Sequence, residues 1–352
     1  MIAVHCGAGH YSTSKRKDYM VLSKRACRKA MNLLEKGGTA LEAIQEAIKV
    51  LENDPLTNAG YGSNLTLEGL VEADASTMNG ENLVFGACGA VRNVKNPICL
   101  AYNINQEQLK TLPLGLMPPS VLVGRGALQH AKTAGLTIVK NSKLVSHKAS
   151  KQRQKYQAML DAQIENGSLD TVGAVCIDCN GNVASGCSSG GILLKRPGRL
   201  GQAAHYGCGV WADSKDKATQ PSIAVCTTGC GEYLVKTLLA KTIADDLMIG
   251  KNCPVTDLHK CLNEKFINSK LIGDVPVSGK LCGALVLKAN QNGEISLLWG
   301  HNTTCLGVGY MKFGDKKPRA QISLLPDEAS EGKSINVGGT EFCLENVRWT
   351  PG

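Results

Sequence analysis

The chain has 352 residues, 43% hydrophobic and 20% charged, with a formal net charge of +9. That balance describes a folded globular protein and excludes the collagen, coiled-coil and disordered classes. No apolar run approaches the ~18 residues of a membrane span, and the opening MIAVHCGAGH lacks the charged and long apolar regions of a signal peptide, so neither a membrane anchor nor secretion is expected.

The first hundred residues alternate strand and helix signals. Met1–His5 reads as a short buried strand and Asp18–Glu35 as a helix stopped by Gly37 and Gly38. Thr39 to Glu42 forms a capping box, and Leu41, Ile44, Ile48 and Leu51 then share one helical face up to Asn53-Asp54-Pro55. The NAGYGSN segment at 58–64 is a loop, LTLEGLVEA turns at Glu68-Gly69 as a hairpin, and 83–91 is a glycine-rich inner strand. From about 104 to 165 the pattern weakens into Pro-rich punctuation at 113–119 and a polar, basic run.

A second half opens at 171–178 with TVGAVCID. CNGN at 179–182 is a turn, and VASGCSSGG returns as the partner strand. Helices are expected over Glu232–Leu247 and Thr256–Ile267, and strands over 281–288, 294–299, 305–311 and 320–325. Strands near both ends with helices between them point to layered α/β or α+β packing.

The 15 cysteines are odd in number and evenly spread, which suits reduced thiols in a cytosolic or nuclear protein. Between Glu107 and Asp161 no acidic residue occurs, while the stretch 140–155 is dense in Lys and Arg. No stacking aromatics are interleaved with these charges, so direct nucleic-acid binding is not expected. A solvated mobile segment is the first reading and a nuclear-import sequence the alternative.

Register arithmetic draws attention to the 170–191 hairpin. With Asn180-Gly181 as a two-residue loop, Thr171 lies opposite Gly190, and a one-residue change of loop type puts Ser189 there instead. Either way two hydroxyls, two glycines and the basic KRPGR run at 195–199 converge on one sheet edge. Cutting the Asp170–Thr171 bond would create an N-terminal threonine, whose own α-amine, with a reference pKa of about 7.7–8.0, can take the hydroxyl proton. Such an enzyme needs no histidine, and the seven histidines form no recognisable catalytic set.

DTVGAVCID, SSGG-x₃-KRPGRLGQ and TTGCGE together resemble the Thr-dependent, plant-type asparaginases of the N-terminal nucleophile class, most of all their threonine aspartase (taspase) branch. HCGAG at 5–9, NAGYGSNL at 58–65, EADASTMNG at 72–80, FGACGAV at 85–91 and GRLGQAAHYGCGVWA at 198–212 extend the likeness over nearly the whole chain. The resemblance implies an α+β fold, a four-layer αββα sandwich matured by self-cleavage. An α chain, 1–170 with a basic linker at 140–166, and a β chain, 171–352, would then form one intertwined domain. They would associate as an αβ heterodimer or its dimer.

By the same likeness Thr171 is the nucleophile and Asp170 donates the carbonyl it first attacks. Ser189 is the second hydroxyl, Thr228 and Gly229 form the oxyanion hole, and Arg199 grips a substrate carboxylate. Asparaginases carry an aspartate for the substrate's free amine where this chain has Gln202. A neutral amide there suits a substrate nitrogen already in a peptide bond, so the expected activity is a threonine endopeptidase cutting after Asp. Its implied protein substrates are trithorax or mixed-lineage-leukaemia-type histone methyltransferases and the precursor of transcription factor IIA, in nucleus and cytoplasm. The alternative is an L-asparaginase or isoaspartyl peptidase, and a basic scaffold without activity is the non-enzymatic rival.

No cofactor is expected to be required. Related asparaginases hold a monovalent cation on backbone carbonyls near the 54–65 loop, and a structural cation there is carried over as an expectation. Cys176 and Cys179 form an isolated CxxC, and Cys253, His259 and Cys261 a partial metal set on a helix with core positions. Neither is read as a metal site. Glu72 and Asp74 offer a carboxylate pair, but the preferred reading is that Asp74 orders the adjacent loop.

Overall fold

The structure is a computed structural model describing residues 1–161, 171–214, 220–250, 252–273, 276 and 279–343, with only the backbone of 160 and 161. Before residue 162 run β1 (Ile2–Gly9), α1 (Arg16–Leu34), α2 (Ala40–Glu52), β2 (Ala73–Asn79), β3 (Phe85–Val91), α3 (Pro97–Glu107), β4 (Val121–Val123), α4 (Gly124–Thr133) and α5 (His147–Asp161). After residue 170 come β5 (Val172–Ile177), β6 (Val183–Ser189), β7 (Val210–Asp213), β8 (Ser222–Gly229), α6 (Gly231–Lys236), α7 (Leu239–Ile249) and α8 (Pro254–Cys261). Last are β9 (Cys282–Ala289), β10 (Glu294–His301), β11 (Cys305–Met311), β12 (Arg319–Leu324) and β13 (Asn336–Cys343).

Eight strands form one sheet in the order β12-β11-β1-β5-β6-β2-β3-β4, and five form a second, β13-β10-β9-β8-β7. Helices α1, α2 and α3 cover the outer face of the larger sheet, and α7 and α8 pack on the smaller. The inner faces of the sheets meet through β5, β6, β8 and β9. The result is the expected helix–sheet–sheet–helix order. One core cluster, including Val175, Cys187, Val225 and Leu285, fills the space between the sheets and runs under α7 and α8. Another, including Val4, Leu22, Ile44 and Ile98, lies beneath α1 to α3. Both kinds of packing need strands buried on two faces, which is why they read as continuous runs of small and β-branched residues.

Strands from either side of residue 170 share the larger sheet, with β5 between β1 and β6. Helix α2 begins at the expected capping box: Thr39 Oγ1 accepts from Glu42 N, and Glu42 reaches back to Thr39 N. Leu41, Ile44, Ile48 and Leu51 are all buried, as their 3.6-residue spacing requires.

Several expectations are corrected. Residues 65–73 form no hairpin of strands. The turn at Glu68-Gly69 is there, with Thr66 N donating to Leu70 O and Gly69 N to Thr66 O, but the flanking groups bond outward: Leu67 N donates to Lys195 O, Leu65 O accepts from Leu194 N, and Val71 N donates to Asn141 Oδ1. The helix expected over Glu232–Leu247 is two, α6 and α7, broken at Leu238 (φ 46°). The break exposes Leu238 while turning Leu239 and Ile243 into the core. Helix α8 gives way to a wider π turn over Leu262–Ile267, which buries Phe266.

The weak stretch after 104 holds α4 and α5, and α3 already covers its start. The basic segment is no loose solvated run either. Leu144 and Ala149 pack with Leu65 and Val71, while Lys148 Nζ and Arg153 Nη2 donate to the carbonyls of Leu56 and Leu67, each at 2.8 Å. Strand patterns at β7, β8 and β13 escaped the sequence reading. Among the described residues no helix is long and apolar enough to cross a membrane.

Candidate active site

The β5–β6 hairpin sets the geometry. Its loop is the three residues Cys179, Asn180 and Gly181: Asp178 N donates to Asn182 O, Gly181 N donates to Asp178 O, and Gly181 has φ +74°. This is a turn ending in a left-handed residue, which glycine supplies without steric cost. Val172 therefore faces Ser188. The two-residue loop is overturned, and the alternative register brings Thr171 to Ser189.

Thr171 is 4% exposed. Its Oγ1 donates to Ser189 Oγ at 3.1 Å and accepts from Gln202 Nε2 at 2.9 Å. Ser189 Oγ also accepts from Gly191 N at 3.0 Å. The backbone N–H of Thr171 reaches Thr228 Oγ1 at 3.3 Å, which takes a second N–H from Ala8 at 3.2 Å. A hydroxyl oxygen that accepts twice still has its own hydrogen to give. Gly229 ends β8 with φ +141°, and a Cβ there would stand 2.3 Å from Leu281 O. Only glycine fits.

Arg199 forms a two-bond fork with Glu232, Nε to Oε1 at 2.8 Å and Nη2 to Oε2 at 2.7 Å. Partial burial works against the Glu232 charge, but the bonds and charge of Arg199 win and hold its carboxyl below the ordinary value. A Cβ on Gly231 would stand 2.9 Å from both Arg199 Nη2 and Gln202 Oε1, so the arginine and glutamine share one wall. Thr171, Ser189, Arg199, Gln202, Thr228 and Gly229 thus converge at the ends of β5, β6 and β8. Asp170 lies outside the described residues.

A polar frame, of which sequence reasoning gave only Asp74 a role, holds this edge. Asn58 and Asn64 donate their side-chain amides to Gly191 O at 2.8 and 2.9 Å. Asp74, fully buried, accepts from Ala90 N and Gly201 N. These partners tie it to β3 and to the loop at Gly201 rather than to the loop next to it in sequence. Glu72 accepts from Gly198 N and pairs with Arg92. His5 is buried, its Nδ1 accepts from Gly7 N at 3.2 Å, and burial pushes its pKa down to about 3 against the pull of the Thr171 carbonyl. Polar side chains set in runs of small residues were the available signal for this frame.

No group of three or more His, Cys, Asp or Glu is placed to hold a metal among the described residues. Cys176 is buried in β5 while Cys179 is exposed in the turn. In the 54–65 loop the Leu56 carbonyl already takes the Lys148 ammonium and the Tyr19 hydroxyl, each at 2.8 Å. The Ala59 and Gly60 carbonyls take N–H groups of their own loop.

The asparaginase family profile matches residues 1–305. The isoaspartyl peptidase/L-asparaginase of Xenopus laevis is 38% identical over 253 residues, covering 72% of this chain and 77% of that protein. That of Bos taurus is 35% identical over 302 residues, covering 85% and 89%. The plant-type L-asparaginase of Pyrococcus furiosus is 29% identical over 341 residues, covering 91% and 99%.

These relatives overturn the expectation of an endopeptidase acting after Asp, and with it the argument drawn from Gln202. The geometry supplies the reason. The Gln202 amide donates to the Thr171 hydroxyl itself, so its neutrality need not report on the substrate's nitrogen. Over most of its length the chain belongs to the asparaginase family of N-terminal nucleophile hydrolases.

Proposed function

We propose that the protein hydrolyses amide bonds at the β-carbonyl of aspartyl compounds, isoaspartyl peptides or asparagine, with Thr171 as nucleophile. The supporting observation is the Thr171 hydroxyl, buried between Ser189 Oγ and Gln202 Nε2 with Thr228 beside its nitrogen. Maturation is read as self-cleavage at Asp170–Thr171, which converts the Thr171 nitrogen into a free α-amine able to act as base near neutral pH.

In that reading the Thr171 oxygen attacks the β-carbonyl carbon as its proton passes to the α-amine. Negative charge develops on the carbonyl oxygen, where the remaining hydrogen of Thr228 and the backbone at Gly229 offer donors, worth a few kcal/mol each. Collapse expels the amine or ammonia, which takes the proton back, and leaves an aspartyl ester on Thr171. Water hydrolyses the ester by the same path. The Arg199 guanidinium holds the substrate α-carboxylate.

Purified protein incubated with a β-aspartyl dipeptide and, separately, with asparagine tests this reading. Free aspartate should form from at least one, and none from a Thr171→Ala variant. Aspartate release undiminished in that variant would end the assignment.

A further inference from the structure

Lys195 is the most deeply buried cation of the site, 2% exposed in the loop that follows β6. Its ammonium donates to the Glu72 carbonyl at 2.7 Å. Among the described residues no carboxylate lies within ion-pair distance of it. The Glu72 carboxylate is bonded to Arg92 and Gly198 N, and that of Asp74 to Ala90 N and Gly201 N. Burial lowers the Lys195 pKa, and the Arg199 charge adds to this while Asp74 opposes it. A buried ammonium satisfied only by a neutral carbonyl is costly, and an anion brought alongside relieves that cost.

Gly191 lies where the Lys195 ammonium and the Arg199 guanidinium come together. A Cβ on this residue would stand 3.1 Å from Lys195 Nζ and 3.1 Å from Arg199 Nη1. Those are the two nitrogens not committed to a carboxylate, since Glu232 engages the other edge of Arg199. Gly191 in turn donates to Ser189 Oγ, the hydroxyl that touches the nucleophile. Two cation tips therefore lie against Gly191 beside the reacting threonine, and the missing side chain of glycine lets both approach.

Resting on the hydrolase reading above, we propose that Lys195 is a second ligand of the substrate α-carboxylate, clasping it together with the Nη1 edge of Arg199. An ammonium supplies a point charge where the guanidinium supplies direction. Their joint role would be to select substrates whose aspartyl residue keeps a free α-carboxylate.

The test is steady-state kinetics on a β-aspartyl dipeptide and on its α-carboxamide counterpart, for wild type, Lys195→Met and Lys195→Arg. Lys195→Met should raise KM for the carboxylate substrate roughly 30-fold or more, as for stripping a buried charge of its partner. It should change kcat far less, and leave kcat/KM on the carboxamide near wild type. Lys195→Arg should recover part of the loss. Equal losses on both substrates, or a fall in kcat at constant KM, would overturn the proposal. Should Lys195→Met fail to fold, Lys195→Gln carries the same comparison. Calorimetric binding of aspartate is independent of turnover: weakened binding in the variants supports the clasp even if wild type cleaves neither substrate, whereas equal binding refutes it.

Discussion

Ser188 and Ser189 are neighbours on one strand and serve opposite faces of the larger sheet. Ser189 points between the sheets, where its oxygen meets the Thr171 hydroxyl and the Gly191 N–H. Ser188 points to the helix side and donates to the buried Glu52 carboxylate at 2.7 Å. Glu52 also accepts from Ile98 N and Asn96, at the start of α3. On the inner face the nucleophile oxygen meets only a hydroxyl and a neutral amide, so its proton can leave without breaking an ion pair. On the outer face a carboxylate bolts the strand to two helices. Chemistry and fastening are thus separated by one residue and the thickness of a sheet.

The largest effect should come from Thr171→Ala, which removes both the nucleophile and the group that opens the chain. Turnover should fall to background, and a denaturing gel should show one uncut chain. Ser189→Ala comes next. It should lower kcat by roughly 10²-fold, as for a nucleophile that has lost the hydrogen bond orienting it, with KM and the unfolding midpoint little changed. Ser188→Ala should show the reverse pattern, a stability loss of about 1–3 kcal/mol from an under-satisfied buried carboxylate and a kcat change of only a few-fold. Denaturant unfolding alongside kinetics checks the pair. If Ser188→Ala damages kcat as deeply as Ser189→Ala, the two faces are not separable.

Titration sharpens the contrast further. Burial raises the Glu52 pKa from 4.5 to about 7, against the pull of Ser188, Ile98, Asn96 and Lys49. Between those values the folded state holds a proton that the unfolded state has lost, so Glu52's contribution to stability falls as pH rises from 4.5 and levels off above 7. The expected change is at most about 3 kcal/mol, and Glu52→Gln should flatten it in urea titrations at pH 5 and pH 8. His5 and His301 work the other way. Burial lowers their pKa values from 6.5 to about 3 and about 4, so the stability they lend above 6.5 is lost as pH falls. The smallest effect should follow Lys148→Ala on the half-exposed basic segment, within about 1 kcal/mol for one hydrogen bond and with turnover unchanged.

Local physics carried much of this structure in the residue order alone. The α2 capping box and its buried stripe, the β5–β6 pairing and the small-residue strands depend on neighbours in sequence, and they were readable. The set Thr171, Ser189, Arg199, Gln202, Thr228 and Gly229 came from the family resemblance, and the structure brings these residues to one sheet edge. Helix α3 was not readable, because its Pro97 start and short apolar stripe resemble the loops around it. The outward bonds of the 65–73 segment were hidden too, since those partners lie at 141 and 194–195.

The hairpin register shows where the boundary falls. Residue order restricted Thr171 to two partners, and the choice rested on a three-residue loop held by Asp178. Lys195 was visible only as one charge in a basic run, yet its burial against Glu72 and Gly191 makes it part of the site. The meaning of Gln202 turned on tertiary structure as well: its composition suggested a substrate contact, and its position gives it the nucleophile's hydroxyl. Sequence determined which groups were available and which short-range geometries they could adopt. Only the packing of two sheets decided which of them met, because hydrogen bonds and charge pairs depend on distances that no linear spacing records.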